Sequence, residues 1–284
     1  KKHKGYMYTF GRLLWRARAG SRRTVAGCRP PPVDADHDLE EILANNKRWV
    51  AATNAADPTF FPKLAEGQSP QFLYVGCSDS RLVPNDMLGL GLGNLFVHRN
   101  VANLVVASDL NFLSVLTYAV EHLDVKHVLV TGHYDCGGVR AAMKNQELGI
   151  LDAWLQHIRD TYRLHRGELD RIRDKDARTR RLVEINVVEQ CLELFKTGVV
   201  QRKRCKTYCD GDAPYTQPRI HAVVFDPATG ALKELKINWK DTLSELGSIY
   251  NMYEPKDGCA IVGDGSEAEP KKRRGLRAWL ARAE

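Results

Sequence analysis

A chain of 284 residues, 43% of them apolar, can bury the core of one generous domain or two small ones. Its formal charge of +7 is unevenly placed: residues 1–33 carry nine Lys/Arg and no acid, residues 264–284 carry six against four acids, and residues 34–263 are left at −4, so the basic balance does not point to nucleic acid. Seven cysteines in irregular spacing argue against a disulfide framework and suit a reducing compartment, while no stretch reaches the roughly eighteen uncharged apolar residues of a membrane span.

Three segments are expected: a basic extension over 1–33, a globular body over 34–263, and a basic, disordered tail over 264–284. In the extension, Arg12, Arg16 and Arg23 share one helical face with Leu13, Leu14 and Trp15 opposite. That is the make-up of a mitochondrial presequence, which favours the matrix; a plain basic extension on a cytoplasmic protein is the alternative. The body opens at Asp38, and Leu39, Ile42, Leu43 and Trp49 predict an amphipathic helical arm that packs on its own domain or reaches a partner subunit.

Asp57-Pro58, Phe61-Pro62 and Gly67-Gln68-Ser69-Pro70 mark a loop before the first strand, Phe72–Val75. A second strand is expected over Asn94–His98, then a helix capped by Ser108 or Asp109 with Phe112, Leu116, Ala119 and Leu123 on one face. A strand over His127–Val130 and a helix from about Val139 follow. Leu151, Trp154, Leu155 and Ile158 start an amphipathic helix that grows highly charged through Arg171–Arg181, and Val187, Val188, Cys191 and Leu194 mark another. Arg219–Phe225, a turn over Asp226–Gly230 and Ala231–Ile237 read as strand, turn, strand. This order predicts an α/β fold, a mainly parallel central sheet flanked by helices, with the N-terminal helical arm and a short final strand added.

Two loops carry the chemistry. Cys77-Ser-Asp79-Ser-Arg81 directly follows the run Phe72–Gly76, and His133-Tyr-Asp-Cys136-Gly-Gly directly follows Val128–Gly132. Both sit where open α/β sheets place their sites, at the carboxyl ends of parallel strands. Cys77, His133 and Cys136 are one ligand short of a closed structural zinc site, which leaves a position for water and points to catalysis. Asp79 supplies a carboxylate to hold that water and Arg81 a guanidinium to hold the carboxylate. Singly, each residue has a duller reading: a buried Cys is commonly a small core hydrophobe, and Asp79 with Arg81 an ordinary surface pair worth about 0–1 kcal/mol. All five together, with Gly137 and Gly138 letting backbone approach, favour a site.

Gly76-Cys-Ser-Asp-Ser-Arg81, Phe96-Val-His-Arg-Asn-Val-Ala-Asn103 and Gly132-His-Tyr-Asp-Cys-Gly-Gly138, in that order, resemble the β-class carbonic anhydrases over roughly residues 38–240. The likeness is to the plant and fungal branch and, through Asn186–Cys191 and Gln217–His221, to its fungal members. The resemblance implies one Zn2+ per subunit on Cys77, His133 and Cys136, and an Asp79 and Arg81 catalytic dyad. The implied reaction is reversible hydration of carbon dioxide to bicarbonate and a proton, through zinc-bound hydroxide oriented by the dyad. The chemistry agrees, because zinc brings the pKa of its water toward about 7 and Arg81 keeps Asp79 ionised.

The resemblance further implies a substrate pocket formed by Gln68, Phe96, Val101 and Tyr118 beside Gly137 and Gly138. A small molecule without net dipole needs a snug apolar wall and one donor, here the Gln68 amide. Thr117 stands where plant members carry Glu before the tyrosine, so a proton-relay role for that acid does not carry over. In some members the aspartate matching Asp79 moves onto zinc and closes the site, and the sequence leaves both states open. The family's sites form where subunits meet, which implies a homodimer or a higher even-numbered homo-oligomer.

Two rival functions are hydrolysis of carbon disulfide or carbonyl sulfide on the same fold, and a non-catalytic zinc sensor or scaffold, which would have no use for Asp79 and Arg81. Elsewhere, Cys205-x-x-x-Cys209 reads as a loop, His157 and His165 as solvent-facing, and His98 as a core histidine or a proton shuttle. Lys271–Arg274 resembles a nuclear address within a solvated tail.

Overall fold

Proline and glycine punctuation separates the strands of this chain from an amphipathic arm that precedes them. The computed structural model describes residues 39–210, 215–247 and 249–250, and the chain divides into two compact units, Lys1–Phe61 and Pro62–Glu284. The extension over 1–33, the tail over 264–284 and the Lys271–Arg274 run lie outside the described residues.

In the first unit, α1 (Leu39–Ala56) is the expected helical arm and buries none of its residues. Its apolar side chains Leu39, Ile42, Leu43 and Trp49 are 46–68% exposed. Trp49 meets Phe61 edge to face at 5.2 Å. Helix α2 (Phe60–Ala65) spans the boundary between the units.

The second unit alternates strand and helix. β1 (Phe72–Cys77), α3 (Pro84–Leu88), β2 (Leu95–Asn100) and a 3-10 turn over Val101–Asn103 come first. Helix α4 (Leu110–Thr117) is capped by Asp109, whose carboxylate accepts from Asn111 N–H at 3.0 Å, and runs on into a π turn over Tyr118–His122. β3 (His127–His133), α5 (Gly137–Ala142), α6 (Ile150–Leu164), α7 (Arg166–Leu169), α8 (Lys175–Lys196) and α9 (Gly198–Asp210) follow. β4 (Arg219–Asp226), β5 (Ala231–Leu235) and α10 (Trp239–Leu246) end the described chain.

The sheet runs β2-β1-β3-β4-β5, the first four strands parallel and β5 antiparallel to β4. This is the α/β architecture expected, with its short final strand. On one face Leu73, Val75, Val128, Val130, Ala222 and Val224 are buried in the core with Val183 and Val187 of α8. Each of the valine and leucine side chains contributes about 1.5–3 kcal/mol of transfer free energy. On the other face Phe72, Leu95, Leu129, His221 and Val223 are half-buried and Val97 is exposed.

Two local readings change. The charged stretch after α6 does not continue that helix: the chain turns through α7, buries Leu169, and restarts at α8, where the Asp174 carboxylate accepts from Ala177 N–H at 2.6 Å. A cap with its own acceptor outcompetes helix continuation there. Cys205 and Cys209 lie in α9 and not in a loop, because Arg204 between them and α8 is buried and donates to Pro218 O and to Thr216 Oγ1. Of the histidines, His98 is buried edge-on against Phe112 at 5.3 Å, a core residue, and burial holds its pKa below the usual value. His157 is exposed, whereas His165 pairs with Glu189 at 2.8 Å.

Candidate metal centre

Parallel pairing of β1 with β3 brings two distant loops side by side. Cys77 is the last residue of β1 and His133 the last of β3, with Gly76 opposite Thr131 in the register. The two residues after His133 form a tight turn in which Asp135 takes φ 58°, a region open to Asp because its short side chain tolerates it. Cys136 then stands at the N-cap of α5.

The Sγ atoms of Cys77 and Cys136 and a ring nitrogen of His133 all lie within 4.8 Å of one another, and the two sulfurs are 3.9 Å apart. All three residues are buried, at 5%, 1% and 0% exposure. His133 Nδ1 lies 2.9 Å from the Tyr134 carbonyl, so Nδ1 carries the proton and Nε2 the lone pair. That Nε2 is buried and has no hydrogen-bond partner among the described residues. A buried lone pair facing two sulfurs is what a thiophilic divalent metal ion satisfies, so these residues fit such an ion with one coordination position left over.

The contact with Cys136 holds the Cys77 thiol below its usual value, against the opposing effect of burial, and the Ala102 and Asp79 backbone N–H groups add to the lowering. The Cys136 thiol is pushed up by its contact with Cys77 and by burial.

Asp79 stands next to this set, its Oδ2 3.9 Å from His133 Nε2. Arg81 donates from its backbone N–H and from Nε to Asp79 Oδ1, and from Nη2 to Oδ2. Those bonds hold the Asp79 carboxyl down at about 2, burial opposing them. Arg99, which sequence reasoning did not single out, donates to the Cys77 carbonyl at 2.9 Å and the Asp79 carbonyl at 2.7 Å and so pins the first loop to β2.

Four of the remaining expected residues fall into two pairs. Phe96 on β2 meets Tyr118 at 5.7 Å between ring centroids, and Tyr118 is 46% exposed. Val101 opens the turn after β2, and a Cβ on Gly138 would come within 3.0 Å of Val101 Cγ1, so that glycine makes a close approach possible. A Cβ on Gly137 would meet no atom within 4 Å. Gln68 is exposed in the loop before β1, and no hydrogen bond among the described residues joins it to the others. Ala102 N–H reaches Cys77 Sγ at 3.4 Å, while Trp154 Nε1 donates to the Val101 carbonyl and Asn186 Nδ2 to that of Ala102. These long-range partners were missed in the sequence; the available signal was an Asn and a Gln on the apolar face of α8.

A carbonic anhydrase family model matches residues 72–232. The chain is 49% identical over 220 residues to a carbonic anhydrase of Emericella nidulans, covering 78% of this chain and 92% of that protein. Among solved structures it is similar to a β-carbonic anhydrase of Aspergillus fumigatus, with 37% identity and a TM-score of 0.66, over 75% of this chain and 98% of that one. It is also similar to one of two tetrameric β-carbonic anhydrases from Sordaria macrospora, with 36% identity and a TM-score of 0.64, over 70% and 97% of the two chains.

Proposed function

The chain belongs to the β-class carbonic anhydrases, and from that premise we propose that it hydrates carbon dioxide reversibly, giving bicarbonate and a proton, at the centre of Cys77, His133 and Cys136. The observation that carries this reading is the buried, unpartnered Nε2 of His133 facing two cysteine sulfurs beside an arginine-held aspartate. Two thiolates and one imidazole with an open fourth position suit zinc. Bound there, zinc supplies the Lewis acidity that makes a hydroxide nucleophile available near neutral pH.

The chain's own residues orient the reaction. Asp79 accepts a hydrogen bond from the attacking water and turns its free lone pair toward carbon. Arg81, by engaging both Asp79 oxygens, keeps the carboxylate ionised and its oxygens occupied, which supports the open state over the closed one. Phe96, Val101 and Tyr118 provide the apolar wall for carbon dioxide, and the Gln68 amide a single donor.

We also propose an even-numbered homo-oligomer with a dimer as its unit. The exposed apolar face of α1 and the half-buried outer face of the sheet support this, as surface a lone subunit would leave in water. The composition of residues 1–33 supports delivery to the mitochondrial matrix, which import of a reporter carrying those residues tests.

Stopped-flow hydration of carbon dioxide at about pH 8, with zinc content measured on the same sample, tests the activity. Fast hydration that collapses in Asp79→Asn at unchanged zinc content is the expected result. Absence of hydration by protein carrying one zinc per chain would refute the proposal.

A further inference from the structure

Helix α8 buries two amide side chains among aliphatic ones. Asn186, 1% exposed, and Gln190, 4% exposed, lie one turn apart on a face otherwise made of Val183, Val187, Cys191 and Leu194. Amides in such surroundings destabilise a fold unless their donors and acceptors are met. Here they form a directed chain. Gln190 Oε1 accepts from Val105 N–H at 2.7 Å, Gln190 Nε2 donates to Asn186 Oδ1 at 3.2 Å, and Asn186 Nδ2 donates to the Ala102 carbonyl at 3.2 Å.

The chain ends on a strained residue. Ala102 takes φ 65°, a left-handed conformation that an L side chain seldom adopts and that surrounding structure must hold. Besides Asn186, two other groups hold it. Trp154 Nε1 donates to the Val101 carbonyl at 2.8 Å, and the Asn100 side chain closes the turn by accepting from Leu104 N–H at 2.8 Å and donating to Leu104 O at 2.7 Å. Packing reinforces the placement, since a Cβ on Gly132, the residue before His133, would come within 2.4 Å of Val187 Cγ2, so α8 lies directly on the ligand-bearing strand. The left-handed turn aims Ala102 N–H at Cys77 Sγ, 3.4 Å away.

We infer that Asn186 and Gln190 are positioning residues for the metal centre: they hold Ala102 so that its N–H bonds to the Cys77 sulfur and draws electron density out of that ligand. An N–H donor on a thiolate lowers the energy of its lone pairs and makes it a weaker donor, so the bound ion becomes a stronger Lewis acid. In a site with two thiolates this offsets the extra charge they deliver to the metal. The inference rests on the metal-centre reading proposed above.

Cobalt(II) in place of zinc reports on the sulfur directly, through the near-ultraviolet thiolate-to-cobalt charge-transfer band. The full chain and Asn186→Leu are loaded with cobalt and compared for band position, metal stoichiometry and oligomeric mass. The band is expected to move to lower energy in Asn186→Leu at one cobalt per chain, and zinc-loaded kcat to fall about tenfold with KM within about twofold. If Asn186→Leu does not fold, Gln190→Met and Trp154→Phe, which leave Asn186 in place, are expected to move the band the same way by less. A folded, fully loaded variant whose band coincides with that of the unaltered chain overturns the inference while leaving the metal centre intact. Failure of the unaltered chain to take up cobalt or show any charge-transfer band overturns the metal-centre reading, and this inference with it.

Discussion

Arg81 grips both carboxylate oxygens of Asp79, with Nε on Oδ1 at 2.9 Å and Nη2 on Oδ2 at 2.7 Å, while its backbone N–H adds a third bond at 3.0 Å. Arg81 Nη2 also reaches the Asp135 carbonyl at 3.3 Å, so the pair spans from one ligand loop to the other. The aspartate beside the Cys77, His133 and Cys136 cluster is thus ionised and fixed in direction.

Arg81→Leu should lower kcat by about 10–100-fold at unchanged zinc content, because Asp79 loses its orientation. Arg81→Lys should recover little of this, since an ammonium cannot reproduce a planar two-point contact. Without Arg81 the Asp79 carboxyl rises from about 2 toward the ordinary range, so activity should fall off at higher pH on the acid side than in the unaltered chain. Stopped-flow pH profiles of the three proteins check this; identical acid limbs would contradict it.

Gly137 and Gly138, adjacent in sequence, should respond unequally to alanine. A Cβ on Gly138 would come within 3.0 Å of Val101 Cγ1 and 3.1 Å of Ala102 Cβ, on a turn already strained. Gly138→Ala should cost about 1–3 kcal/mol and reduce activity. Gly137→Ala meets open space and should stay within about 0.5 kcal/mol of the unaltered chain. Urea unfolding with parallel activity assays separates the two, and equal costs at both positions would show that the approach of Val101 is not tight.

Glu184 should shape stability in acid. Burial favours its neutral form, but hydrogen bonds from Lys233 Nζ at 2.7 Å, Tyr134 OH at 2.7 Å and Arg181 Nη1 at 3.0 Å outweigh this and hold its pKa below the usual value. A lowered folded pKa gives stability that is present above the unfolded value of about 4.3 and is lost as pH falls through the folded one. Glu184→Gln should therefore be less stable by about 1–3 kcal/mol at pH 7, with the gap closing in acid. Denaturation series at pH 7 and pH 4 measure it, and a gap that widens on acidification would reverse the sign.

The apolar face of α1 should govern assembly. Ile42 and Leu43 are 55% and 52% exposed in the single chain. Replacing both with Asp should shift the solution mass from an even-numbered oligomer toward the monomer, as measured by light scattering. An unchanged mass would place the subunit interface elsewhere.

Strands and most helices were legible because their signals are local. Phe72–Val75 and His127–Val130 are short apolar runs bounded by turn residues, and Asp109 caps α4 as a residue of its type does. The break between α6 and α8 was not legible, since the charged stretch keeps a helical composition and only the Asp174 cap and the burial of Leu169 reveal the turn. Cys205 and Cys209 were misread for the converse reason. A basic run with two cysteines resembles a loop until Arg204 is seen anchored to the 215–218 segment.

The sequence by itself determined the chemical parts: two cysteines and a histidine at strand ends, a carboxylate and a guanidinium two residues apart, and the alternation that makes a parallel sheet. Asp79 and Arg81 stand two residues apart in one loop, within local reach of each other. Only the tertiary structure decided that Cys77 and Cys136 lie 3.9 Å apart, that His133 Nε2 is left without a partner, and that Asn186 reaches Ala102. Those relationships join residues 59 and 84 positions apart, and a hydrogen bond across such a distance leaves no periodicity in the chain. It is set by strand register and by how closely α8 can approach a glycine.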